Sequence, residues 1–208
     1  MAQRPVRVIV VTDGDGAAQH AVETAAGQLG LRTISSSAGH PTRLSGTQIA
    51  DLCQMVPYDP VVLMVDDRGH PGRGAGERAL AELSADPRVE IIGVVAVAAR
   101  TPGAKGARID RSVAANGDLV SVAVDKESEP VPKQVSINGD TVQVLDRLHM
   151  PVVIGSGDLG KGPDALSLGA PLTRRALEEV LRHHGINPPC GPGGRGKNSG
   201  KDARKNAR

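Results

Sequence analysis

Apolar positions come in short, nearly unbroken runs that end in acids and glycines. Val6 to Thr12 runs into Asp13-Gly14-Asp15-Gly16, and Pro60 to Val65 runs into Asp66-Asp67-Arg68-Gly69. Val89 to Ala98 is the longest such run in the chain. Runs of this length, rich in β-branched residues and without polar alternation, predict strands covered on both faces. Between them the period changes. Ala18, Val22, Ala25, Ala26 and Leu29 fall on one face of a helix over Gly16–Leu29, with Asp15 placed to cap it and Gly30 to stop it. Leu31–Ser35 predicts a short second strand. Ser45 predicts the cap of a helix over Thr47–Met55, and Glu77–Ser84 predicts a third helix.

The second half alternates more and runs shorter. Arg108 to Val124 predicts a hairpin with Asn116-Gly117 at its turn. "DKESEPVPKQ" is a charged connection. Val142–Leu145 and Pro151–Ile154 are short apolar runs that predict short strands, and the second leads into "GSGDLGK". Leu172–His184 predicts the last helix, with Pro171 at its start and Gly185 past its end.

The alternation β-α-β-α-β-α-β predicts an α/β fold. A mostly parallel sheet has helices on both faces, as in Toprim or Rossmann folds, and a smaller β-containing C-terminal half follows. One domain spans 1–185, with the β-α repeat in 6–98 and the hairpin, short strands and last helix in 99–185. Ligands of such sheets bind outside the carboxyl ends of the strands. The loops there carry Asp13, Gly14 and Asp15, then Ser35, Ser36, Ser37 and Gly39, then Asp66, Asp67 and Gly69.

Composition narrows the function classes. Tyr58 is the only aromatic residue in 208. The core must be aliphatic, and nucleic-acid recognition by base stacking lacks its platforms. No apolar run reaches the roughly 20 residues that cross a bilayer. No secretory signal precedes the first strand, and Cys53 and Cys190 lie far apart, which suits a reducing, intracellular compartment. The last 18 residues hold six basic side chains and one acid, a net of +5, so the remainder carries −3 of the chain's +2. Residues 186–208 are rich in Gly, Pro and Asn and predict a disordered basic tail.

Two readings of the acids stand side by side. In one, Asp13 ends a turn and Asp15 caps a helix. In the other, Asp13 and Asp67 share a divalent cation, Mg or Ca, with Asp15 and Asp66 close by, since hard cations favour oxygen ligands. Gly74 and Gly76 open a helix whose amides can cradle an anion. Gly155, Gly157, Asp158 and Lys161 form a second glycine-rich loop with positive charge, and Ser37 and Gly39 complete the ligand-binding candidates. No nucleophile elbow, HExxH or P-loop occurs, and no catalytic residue is assigned.

The blocks "VTDGD", "ISSSAGHPT", "DDRGHPGRGAGERAL", "INGDTVQVLD", "VVIGSGDLGK" and "APLTRRALE" occur in that order. Together they resemble the stage V sporulation protein AE family of spore-forming bacteria, over about residues 6 to 184. The resemblance implies a non-enzymatic role in the spore dipicolinic-acid (SpoVA) system, in sporulation and germination. It implies a peripheral place at the spore inner membrane and other SpoVA proteins as partners. It also implies dipicolinate as a ligand; Arg174 and Arg175 either meet its carboxylates or are solvated or paired with Glu178 and Glu179. A more distant resemblance is to the Toprim fold, in which a Glu after the first strand and an Asp-x-Asp after the third hold magnesium for phosphoryl transfer. Asp13 stands in the place of that Glu and Asp67 in that of the first Asp, while Gly69 replaces the second; the alternative function this resemblance implies is a metal-dependent phosphoryl-transfer enzyme or a degenerate remnant of one.

Overall fold

The computed structural model describes residues 4–70, 73–101, 103, 106–139 and 141–187. The predicted tail from residue 188 onward, with Cys190, lies outside them. Among the described residues nine strands and five helices follow in order: β1 Val6–Val11, α1 Gly16–Gln28, β2 Arg32–Thr33, α2 Gly46–Gln54, β3 Val61–Met64, α3 Ala75–Ala85, β4 Val89–Val97, β5 Ala107–Arg108, β6 Arg111–Val113, β7 Leu119–Val120, β8 Ser136–Ile137, α4 Leu145–Leu148, β9 Val153–Ser156 and α5 Pro171–His183. The main sheet has the order β2-β3-β1-β4-β9-β6-β7, and β5 pairs with β8 in a separate two-stranded sheet. All neighbours in the main sheet run parallel except β6 and β7. The predicted α/β architecture is therefore the one adopted.

The unbroken apolar runs are the central strands. Val8 to Val11 and Val61 to Met64 are all fully buried. Alternate residues feed two cores. Ile9, Val11, Val62 and Met64 pack with α1 and α5, and Val8, Val10, Val61 and Leu63 pack with α2 and α3. Truncating Ile9 or Leu63 to Ala costs about 2–5 kcal/mol on the usual scale for buried aliphatics. The buried face of α1 is mostly alanine, so the helix lies close to the sheet.

Capping follows the sequence. The Asp15 carboxylate accepts from the amides of Ala17 and Ala18 at 2.9 and 2.8 Å. Ser45 and Gln48 form a reciprocal capping box on α2. The turn of the β6–β7 hairpin contains Gly117 at φ +85°, which supplies its left-handed position.

Three expectations shift. The second strand shortens to Arg32–Thr33, because Ser35–Ser37 turn into a 3-10 helix pinned by Ser37 Oγ to the carbonyl of Ile34. α3 starts at Ala75, two residues early. Val142–Leu145 is no strand: Leu145 begins α4, and Val142 and Val144 are buried against the α2/α3 side.

Candidate functional site

β1 and β4 are neighbours, yet the chain leaves them toward opposite faces. After β1 it enters α1, whereas after β4 it passes to β5 and the second sheet on the α2/α3 side. Such a divergence opens a crevice at the carboxyl ends of the strands. A cleft of about 230 Å³ lies there, lined by Asp13, Asp15, His40, Asp66, Arg100, Lys126, Asp158 and Lys161 over a floor that includes Thr12 and Val97.

The acids come from the loops after β1 and β3. Asp66 is 5% exposed. Its Oδ2 accepts from Gly14 N at 3.3 Å and lies 2.7 Å from His40 Nδ1, and its Oδ1 accepts from Arg68 N at 2.6 Å. Asp13 Oδ1 accepts from Asp15 N at 3.2 Å. Burial pushes the Asp13 carboxyl up to about 7, reinforced by the charges of Asp15 and Asp66 and opposed by Lys161. Asp15 moves below the usual range: burial opposes this, but the Ala17 and Ala18 amides and Lys161 outweigh it.

The bases come from segments after β4, β7 and β9. Lys161 Nζ lies 3.0 Å from Asp15 and 3.7 Å from Asp158, and Lys126 Nζ lies 3.2 Å from Asp158. Arg100 pairs loosely with the exposed Glu127 at 3.3 Å. A cleft with Asp13, Asp15 and Asp66 on its β3–β1 side and Arg100, Lys126 and Lys161, together with Asp158, on its β4–β9 side can hold a ligand that carries both signs.

The structure divides the sequence candidates. Asp13, Asp15, Asp66, Asp158 and Lys161 meet in the cleft. Asp67 does not line it. Its carboxylate accepts from Gly76 N at 2.6 Å and Glu77 N at 3.1 Å, so it caps α3 from a neighbouring loop. The cradle anticipated at Gly74 and Gly76 is thus filled by the protein's own anion: a Cβ on Gly74 would overlap the Asp67 carboxylate, and one on Gly76 would press on the Asp66 backbone. Gly155 and Gly157 are equally committed, because Ser112 and Ser128 hydroxyls occupy the space a side chain would need. Gly39 packs against Pro41, and its amide donates to Gly14 O at 3.1 Å. Ser37 is buried and its hydroxyl accepts from Met64 N at 2.9 Å. Arg174 and Arg175 pair with Glu178 on α5.

The expectation that Asp13 and Asp67 share a cation therefore meets a competing use of Asp67. Among the described residues no group of three or more His, Cys, Asp or Glu side chains is arranged to hold a metal ion. Sequence reasoning misses His40, Arg100 and Lys126. Arg100 has a signal, since it closely follows the longest strand run; His40 and Lys126 arrive through loops whose destinations no local pattern reveals. Cys53 is buried, and burial pushes its thiol up to about 11.

The family model described as Stage V sporulation protein AE1 matches residues 7–184. The chain belongs to the SpoVAE family. That span takes in every strand and helix from β1 to α5 except Val6, and every residue of the cleft. Membership of the SpoVAE family ties the protein to the SpoVA system of sporulation. No curated protein and no solved structure gives a significant match. No described helix is long and apolar enough to cross a membrane.

Proposed function

We propose that this SpoVAE-family protein is a non-enzymatic, peripheral component of the spore dipicolinic-acid system that binds calcium dipicolinate in the cleft between β1 and β4. It acts with other SpoVA proteins at the spore inner membrane. The observation that supports this reading is the mixed charge of the cleft, whose lining brings Asp13, Asp15 and Asp66 together with Arg100, Lys126 and Lys161.

Dipicolinate is a flat dicarboxylate whose ring nitrogen and two carboxylates chelate one cation. Calcium takes six to eight oxygen-rich ligands, so the chelate leaves positions open for further oxygens. Asp13 and Asp66 supply oxygens on the calcium side. Arg100 and Lys126 meet the outer carboxylate oxygens in charge-assisted hydrogen bonds. The ion is cargo that arrives with its chelator rather than a resident cofactor.

Calorimetric titration separates these roles. Calcium dipicolinate is expected to release binding heat. Calcium with isophthalate, which keeps both carboxylates but lacks the ring nitrogen, is expected to release none. Lys126→Ala should weaken binding about 10-fold, equivalent to about 1.4 kcal/mol. Equal heats from the two dicarboxylates, or none from either, would remove the ligand from the account. Capture of other SpoVA proteins by the tagged chain from sporulating cells tests the partner half of the reading.

A further inference from the structure

A second cavity lies on the other side of the sheet, between α3 and α4. It holds about 290 Å³, at the small end of ligand sites, which begin at roughly 300 Å³. Its lining includes Arg73, Glu77, Arg78, Glu82, Val144, Arg147 and Leu148. None of these residues lines the β1–β4 cleft.

Glu77 is the unusual member. It is 1% exposed, and no donor meets hydrogen-bond geometry at either carboxylate oxygen, although the Val144 backbone N–H is near enough to help hold its charge. Its one ion pair among the described residues is with Arg147, at 3.8 Å, too far for a hydrogen bond. Position in the first turn of α3 gives the carboxylate some help from the helix dipole. That turn, however, already holds the Asp67 carboxylate on the amides of Gly76 and Glu77, a like charge against Glu77. Burial, then Asp67, push the Glu77 carboxyl above its usual range, against weaker pulls from Arg147, the nearby Val144 backbone and Arg73. Burying a carboxylate with so little donor support is costly.

The arginines lean the other way. Arg147 reaches only Glu77, and Arg73 and Arg78 make no ion pair among the described residues. The pocket thus offers a buried carboxylate held only by a long ion pair, three exposed guanidiniums beside it, and an apolar wall from Val144 and Leu148.

We propose that this pocket binds an α-amino acid with an aliphatic side chain. The ammonium donates to Glu77, the carboxylate takes Arg147 and Arg78, and the side chain packs on Val144 and Leu148. On binding, Arg147 exchanges its long contact with Glu77 for a charge-assisted fork to the ligand carboxylate, and the ammonium takes its place beside Glu77. Glu77 and the guanidiniums of Arg78 and Arg147 each gain a partner of opposite sign. A simple anion satisfies the arginines alone and leaves Glu77 without a donor.

Three probes read this directly by calorimetry on the full chain: leucine, 3-methylbutylamine, which lacks the carboxylate, and 4-methylpentanoate, which lacks the ammonium. Leucine is expected to bind at least 10-fold more tightly than either. Glu77→Gln keeps the shape and removes the charge; it should bring leucine down to the level of 4-methylpentanoate. Arg78→Ala, an exposed change that leaves the core intact, should weaken leucine and 4-methylpentanoate together. Asp13→Asn, in the other cleft, should change neither. No leucine binding at millimolar concentration, or 4-methylpentanoate binding as tightly as leucine, overturns the proposal.

Discussion

The Asp67 carboxylate accepts a hydrogen bond from Gly76 N at 2.6 Å, while the adjacent Asp66 lies 2.7 Å from His40 on the far side of the loop. Two consecutive aspartates at the end of β3 thereby serve two places. One builds the entrance of α3 and the other a wall of the cleft. Successive side chains at a strand end point to opposite faces, and here that alternation decides which acid meets a ligand.

Removing the Asp67 carboxylate should therefore act on stability. It is 2% exposed, and Asp67→Ala leaves the buried Gly76 and Glu77 amides without their acceptor. The expected loss is about 1–3 kcal/mol in chemical denaturation. Dipicolinate binding should persist in the folded fraction. An Asp67→Ala protein as stable as the parent would mean that the cap contributes nothing.

Asp13 should make stability fall as pH rises. Its folded value near 7 lies above the ordinary 3.8, so between those values the folded state holds more protons than the unfolded one. By linkage the Asp13 contribution is complete below about pH 4 and is lost as pH climbs through about 7. Asp13→Asn escapes this loss. Its advantage over the parent should grow from pH 4 to 7, by at most about 1.4 kcal/mol per pH unit, and then level off. A constant difference across that range would show that Asp13 titrates as it does in the unfolded chain.

The loop after β9 should tolerate no side chain at its tightest point. Gly160 has φ +71°, and a Cβ there would come within 2.6 Å of Ala17 O in the first turn of α1. Gly160→Ala combines left-handed strain, about 1–2 kcal/mol, with that contact. It should lower the melting temperature by several degrees and weaken ligand binding through displacement of Lys161. Gly162→Ala is the control, since φ is +52° but nothing lies within 4 Å of the new atom; it should cost only the strain.

The sheet is legible in the sequence because its signals are local. Val8–Val11 and Val61–Met64 announce strands buried on both faces, and Asp15 and Ser45 mark the helix starts that the structure shows. The location of the cleft is legible too, since each acid of the first and third loops follows a strand. Its membership is only half legible. Asp67 groups with Asp13 on sequence grounds because sequence gives proximity along the chain but not the direction of a side chain at a turn. Gly74, Gly76, Gly155 and Gly157 look open to a ligand, whereas their space is taken by Asp67, the Asp66 backbone, Ser112 and Ser128. His40 and Lys126 come from loops whose paths depend on tertiary packing. The orphaned carboxylate of Glu77 has no sequence signature at all, because an acid in the first turn of a helix is ordinary.

Equilibrium dialysis of calcium dipicolinate against the parent, Asp13→Asn and Lys126→Ala, at pH 6 and pH 8, tests the central claim most directly. The account predicts saturable binding by the parent that is tighter at pH 8, because a cation-bearing ligand favours ionised Asp13, whose carboxyl sits near 7. Asp13→Asn should bind more weakly and lose the pH dependence, and Lys126→Ala should bind more weakly but keep it. Binding by the parent that is absent, or that is unchanged by both substitutions and by pH, would contradict the assignment of calcium dipicolinate to this cleft.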